Sequence, residues 1–192
     1  MNILIVGATG SLGRVVTKEL LEETNNQLSL FARTANRLSV EERTRTLVGS
    51  VYDEEELKKA LEGQDMVFVA LSGDLPSMAQ KIVEGMKETG VRRIIFVSSY
   101  GIYGEIAGKE GYLPSVLESY RQAADIIEES GLDYTILRPA WFDNGSDREY
   151  VLTPRGKMVE GHDISRIAIA DFVLNISKTP EKYMKENLAI TR

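Results

Sequence analysis

Residues 1–14 read Met1-Asn2-Ile3-Leu4-Ile5-Val6-Gly7-Ala8-Thr9-Gly10-Ser11-Leu12-Gly13-Arg14. Ile3 to Val6 form an unbroken apolar run, the pattern of a strand buried on both faces of a parallel sheet. Gly7, Gly10 and Gly13 follow at three-residue intervals, and Leu12, Val15, Val16 and Leu20 then repeat at helical spacing through Glu23. Strand, glycine turn and helix in this order can seat a pyrophosphate. The glycines let backbone approach the ligand, and the helix N-terminus offers free N–H donors and a partial positive charge. The spacing is G-x-x-G-x-x-G, not the G-x-G-x-x-G of the usual fingerprint, and glycines after a strand also serve as plain turn punctuation. Position favours the nucleotide: the motif opens the first strand–helix unit, where a doubly wound sheet places its phosphate turn.

Outward from that stretch, strand-like and helix-like segments alternate along the chain, the signature of an α/β parallel sheet. Strands are expected at residues 28–32, 46–48, 66–71, 93–98 and 134–138, with an edge strand at 188–191. Helices are expected at 53–61, 76–89, 114–130 and 165–177, and a glycine-rich connection at 100–111. The expected fold is an NAD(P)-binding Rossmann fold, doubly wound and mostly parallel, in strand order 3-2-1-4-5-6, as one domain over residues 1–192. Ligands of such a sheet bind at the carboxyl ends of the strands, which directs attention to the residues just after each one.

Composition narrows the chemistry. Hydrophobic residues make up 43% and charged residues 27% of the 192, as in ordinary globular proteins. A net charge of −6 argues against nucleic acid as a partner, since phosphate contacts need clustered Lys and Arg. The absence of cysteine excludes disulfides and thiol catalysis, and a single histidine leaves no transition-metal cluster. No apolar run is long enough to span a bilayer or serve as a signal peptide, so no membrane partner and a cytoplasmic location are expected. Exposed helix faces leave room for a homodimer without demanding one.

The end of the second strand discriminates between nicotinamide cofactors. An NAD site carries an Asp or Glu there to accept from the ribose hydroxyls, whereas Leu30-Phe31-Ala32-Arg33-Thr34 has no acid and has Arg33 where a 2′-phosphate would lie. Arg14 is a second candidate guanidinium and Arg37 a weaker third. NADP(H) is therefore expected in preference to NAD(H). The cofactor-binding residues expected are Gly7, Thr9, Gly10, Ser11, Leu12, Gly13, Arg14, Arg33, Leu71, Ser72, Gly73 and Ser98. Residues 49–53 would lie near the adenine, with Asp53 equally readable as a helix cap.

The run Gly7-Ala8-Thr9-Gly10-Ser11-Leu12-Gly13 resembles the phosphate loop of the atypical short-chain dehydrogenase/reductases, in particular their NAD(P)H-binding, NmrA-like group. Phe31-Ala32-Arg33, Phe96-Val97-Ser98-Ser99 and Gly131-Leu132-Asp133-Tyr134-Thr135-Ile136-Leu137-Arg138-Pro139 are similar to further blocks of that group. The resemblance covers residues 1 to about 140 and weakens after Trp141. In its short length the chain is similar to biliverdin/flavin reductase relatives that lack a separate substrate domain.

The resemblance also implies a Tyr-x-x-x-Lys pair on the helix after the fifth strand. The Tyr gives a proton to a carbonyl, and the Lys lowers the Tyr pKa and holds the nicotinamide ribose. Here Tyr120 is followed four positions later by Ala124. Counted back from the 131–139 block, Tyr120 falls where relatives carry the Lys and Val116 where they carry the Tyr. The pair is incomplete on either alignment, so the catalytic candidates reduce to Ser98, Ser99 and Tyr120, with Tyr103 as a further unassisted acid. Trp141, Phe142 and Tyr150 form an aromatic cluster that either walls a ring-shaped substrate or packs the C-terminal segment.

Three functions compete. One is an NADP(H)-dependent oxidoreductase passing hydride to a small or planar acceptor (flavin, quinone or bilin-like), which draws its proton from solvent. Another is a non-catalytic NADP(H)-binding redox sensor of the NmrA-like type. The weakest is an isomerase or epimerase, which needs the Tyr–Lys pair that is missing.

Overall fold

The computed structural model describes residues 1–192. Alternation along the first strand sets the architecture. In β1 (Asn2–Val6) Ile3 and Ile5 face one side of the sheet and Leu4 and Val6 the other, all four essentially buried. Each side must therefore be covered by helices. On the Ile3 side lie α1 (Ser11–Glu23) and α5 (Arg166–Lys178), packed against each other. On the Leu4 side α3 (Leu75–Thr89) packs between α2 (Glu54–Leu61) and α4 (Glu118–Glu129).

The remaining strands are β2 (Gln27–Ala32), β3 (Thr44–Val48), β4 (Met66–Val69), β5 (Arg93–Val97), β6 (Asp133–Pro139), β7 (Trp141–Asp143), β8 (Val151–Pro154), β9 (Asp163–Ser165) and β10 (Glu186–Thr191). The main sheet runs β3-β2-β1-β4-β5-β6-β10-β8, and its first six positions are the expected 3-2-1-4-5-6. β10 is not an edge strand. It pairs parallel with β6 and antiparallel with β8, and Asn187 to Thr191 are all buried. The chain between β6 and α5 thus supplies the outer strand β8, together with a separate two-stranded sheet of β7 and β9. No helix is long and apolar enough to cross a membrane.

Two local departures bear on the site. Helix α4 begins at Glu118, because Ser115–Leu117 form a 3-10 turn after Pro114. The connection at 100–111 is anchored: the Glu105 carboxylate accepts from the N–H of Tyr103 (2.8 Å) and of Gly101 (3.3 Å) and pairs with the fully buried Arg138 guanidinium. Arg138 also donates to Asn187 Oδ1 on β10 at 2.7 Å. Its position at the end of β6 serves this tie between loop and sheet.

Candidate functional site

A cleft of about 980 Å³ runs across the carboxyl ends of β1, β2, β4, β5 and β6. The phosphate turn forms its middle. Gly7 has φ +90°, and a Cβ there would sit 2.1 Å from the Ala70 carbonyl oxygen, so only glycine lets β1 turn this closely past β4. At Gly13 a Cβ would lie 2.4 Å from the Gly7 carbonyl oxygen, which is why α1 can pack directly onto the turn. No side chain caps α1 and its first turn carries no acid. Its leading N–H donors and positive dipole end are left for a ligand anion.

At one end of the cleft the exposed Arg33 follows β2, with no acid beside it and no ion-pair partner. Gly49, Ser50, Val51 and Tyr52 face it, while Asp53 acts as the N-cap of α2, its Oδ1 accepting the Glu56 N–H at 3.1 Å. Arg14 does not join Arg33. Its Nε turns back onto the Thr9 carbonyl (3.0 Å), and its side chain lines a neighbouring groove between α1 and residues 38–43. Arg37 also lies outside the cleft lining. Thr9, Gly10, Ser11, Leu12, Leu71 and Ser72 line the cleft. Gly73 does not: its carbonyl accepts the Leu75 N–H at 2.8 Å, turning the chain away into α3.

The other end holds the catalytic candidates. Ser98 is buried, and its hydroxyl donates to the Tyr120 carbonyl at 3.1 Å, joining β5 to α4. The Ser99 hydroxyl donates to the Tyr100 carbonyl at 3.2 Å. Tyr120 lines one wall with Val116 and Leu117, and no lysine lies in the cleft. Ala124, one turn beyond Tyr120, is fully buried under α4. Trp141 and Phe142 form the opposite wall, and Trp141 is 75% exposed.

Two expected aromatics are elsewhere. Tyr150 packs edge-on against Phe172 in the core, with ring centroids 6.0 Å apart. Tyr103 lies outside the cleft, its ring against the guanidinium groups of Arg155 (4.1 Å), Arg121 (4.7 Å) and Arg138 (5.3 Å). Its hydroxyl accepts from Asn187 Nδ2 at 2.9 Å, and burial pushes its pKa up, so it is a poorly placed acid. His162 is exposed in its loop. Arg166, which the sequence does not single out, opens α5 and donates from Nε to Ser11 Oγ at 3.2 Å. The two residues are 155 positions apart, and only the packing of α5 on α1 brings them together.

Comparison with known proteins shows the family and the fold. A family model described as NAD(P)H-binding matches residues 7–180. A Rossmann-fold NAD(P)-binding family protein from Shigella flexneri is 36% identical, with a TM-score of 0.89 over 100% of this chain and 93% of that one. A short-chain dehydrogenase/reductase from Veillonella parvula, solved in complex with NADP, is 26% identical with a TM-score of 0.90, covering 100% and 94% of the two chains. A (4-alkanoyl-5-oxo-2,5-dihydrofuran-3-yl)methyl phosphate reductase from Streptomyces griseus is 27% identical over 141 residues, 73% of this chain and 48% of that protein. The chain spans about half the length of curated relatives such as this reductase.

Proposed function

Because the chain belongs to the NAD(P)H-binding family of atypical short-chain dehydrogenase/reductases, we propose that it is an NADP(H)-dependent oxidoreductase passing hydride to a small planar acceptor of the flavin, quinone or bilin-like type. The observation that carries this reading is the composition of the cleft. It has an unpaired arginine and an uncapped helix at the cofactor end, and apolar rings without a Tyr–Lys pair at the reaction end.

The residues fit the cofactor. Arg33 offers a bidentate guanidinium to a 2′-phosphate, and the absence of an acid after β2 removes the repulsion that would exclude it. The N-terminus of α1 holds the pyrophosphate. Bound NADPH supplies the hydride. Ser98 gives its proton to the Tyr120 carbonyl and keeps its lone pairs for a donor such as a carboxamide N–H. Val116 and Leu117 on one wall and Trp141 and Phe142 on the other present apolar surface to a flat ring and align it for transfer. A conjugated acceptor spreads the arriving charge over its ring and collects its proton from water, which reaches the open mouth beside Trp141.

Purified protein mixed with NADPH and FMN, riboflavin or a quinone tests the proposal through loss of reduced-nicotinamide absorbance. Steady, acceptor-dependent oxidation supports a reductase. Tight NADPH binding without oxidation by any acceptor favours instead a redox sensor that reads nicotinamide occupancy.

A further inference from the structure

Five arginines lie between Arg138 and Arg192, and four of them are neutralised by carboxylates. Arg138 pairs with Glu105, Arg148 with Glu19, Arg155 with Glu128, and Arg192 with Asp143 and Asp163. Arg166 makes no ion pair. The Asp143 carboxylate beside it is taken by Arg192 at 2.6 Å. Arg166 is held by neutral acceptors: Nε donates to Ser11 Oγ (3.2 Å), and Nη1 to the Asp143 carbonyl and Asn144 Oδ1, both at 3.0 Å. Three of its five N–H donors are thus engaged, and the two on Nη2 have no partner. A half-buried cation, fixed in place and making no salt bridge of its own, stands at the first residue of the uncapped α1 helix.

We propose that Arg166 is a cofactor-binding residue whose free Nη2 donors take an oxygen of the dinucleotide's pyrophosphate. The inference rests on the reading of this cleft as a nicotinamide dinucleotide site. It gives the phosphate turn, whose own Arg14 is turned onto the Thr9 carbonyl, a cation from the far end of the chain. Arg166 is not itself among the residues lining the cleft, but two residues it contacts, Ser11 and Phe142, are, so it ties two parts of the cleft together from behind. The same guanidinium lies 5.2 Å from the centre of the Phe142 ring and holds the backbone at Asp143. An anion drawn onto Nη2 therefore fixes the segment that carries Trp141 and Phe142, so the dinucleotide organises the acceptor wall before the acceptor arrives.

Isothermal calorimetry with two probes tests this: NADP⁺, and adenosine 2′-phosphate, which lacks the pyrophosphate. Arg166→Gln is expected to weaken NADP⁺ roughly tenfold or more while leaving adenosine 2′-phosphate within about twofold, as befits loss of one charge-assisted contact. Arg166→Lys, which keeps the charge but not the fork, should fall between. Hydrogen exchange supplies a second readout: NADP⁺ should protect residues 141–145 in the wild type and not in Arg166→Gln. Equal affinity of wild type and Arg166→Gln for NADP⁺ would overturn the assignment. So would equal weakening of both probes, since that is the signature of a disturbed fold. A wild type that binds NADP⁺ in neither assay would bring down the dinucleotide reading itself, and the assignment with it.

Discussion

Arg33 is exposed and unpaired, so its removal deprives a ligand rather than the fold. A charge-assisted contact to a phosphate is worth about 1.5–3 kcal/mol, or roughly 10–100-fold in affinity. Arg33→Ala should raise the dissociation constant for NADPH by that factor, leave NADH nearly unchanged, and hold the melting temperature; paired titrations with the two nucleotides check it. Gly13 is the opposite case. A Cβ there meets the Gly7 carbonyl oxygen at 2.4 Å and Ala8 Cα at 3.0 Å, both backbone atoms that cannot swing aside. Gly13→Ala should therefore cost about 1–3 kcal/mol of stability and abolish nucleotide binding, read from thermal melts with and without NADPH. Both residues are legible in the sequence because their roles depend on immediate neighbours along the chain. Arg14 and Arg166 are not legible in that way. Arg14 sits at the right place on α1 but turns its guanidinium back onto Thr9, and Arg166 reaches Ser11 only through the packing of two helices distant in sequence.

At the scale of elements, the loop at 101–111 is held by backbone pairing with Val159 and by one buried carboxylate. Glu105 accepts two backbone N–H groups and balances the buried Arg138, which makes no other salt bridge. Glu105→Ala leaves that cation uncompensated, which costs roughly 3–5 kcal/mol for a buried pair. The melting temperature should fall sharply, with faster hydrogen exchange at 101–111. The segment after β6 is held differently, by surface charge. Asp143 has its pKa pulled down because it accepts the Gly145 N–H and faces Arg192 and Arg166. Its ordinary value is 3.8, so the stabilisation is complete above that pH and is lost as pH falls through the lower folded value, where the folded carboxylate finally takes up its proton. Trp141, the chain's one tryptophan and two residues away, should report the loosening as an emission change confined to acid below about pH 4, and Asp143→Asn should show that emission already at neutral pH. These elements mark the limit of what the sequence reveals. β1, β4 and β5 announce themselves as apolar runs, and β2, β3 and β6 as shorter apolar stretches interrupted by polar residues. β7 and β9 are three residues each and exist only because they pair with each other, and β10 looks like an edge until β8 is known to cover it. The cofactor half of the cleft lies on the legible strands, while Trp141 and Phe142 at its other end lie on β7, one of the illegible ones.

For the whole molecule the decisive question is where the proton comes from. A carbonyl reductase must deliver one to an alkoxide as hydride arrives, and a positioned acid contributes roughly 10²–10⁴-fold to such a step. Here the sheet brings to the reaction end of the cleft two tyrosines, Tyr100 and Tyr120, with no lysine in the lining, and two serines whose hydroxyls donate to main-chain carbonyls. A planar conjugated acceptor needs none of these groups to ionise. It needs to lie flat against the dinucleotide, which the apolar walls of Val116, Leu117, Trp141 and Phe142 provide. Tyr120→Phe should therefore lower the turnover of a flavin or quinone by less than about fivefold, well short of what loss of a general acid produces. Trp141→Ala should raise the acceptor Michaelis constant while leaving NADPH affinity largely intact, since the Arg166 guanidinium proposed to meet the pyrophosphate lies against the ring of Phe142 and not that of Trp141. A hundredfold loss of turnover in Tyr120→Phe would reverse the argument: the phenol would then be the acid despite its missing lysine, and simple carbonyl compounds would return as substrates.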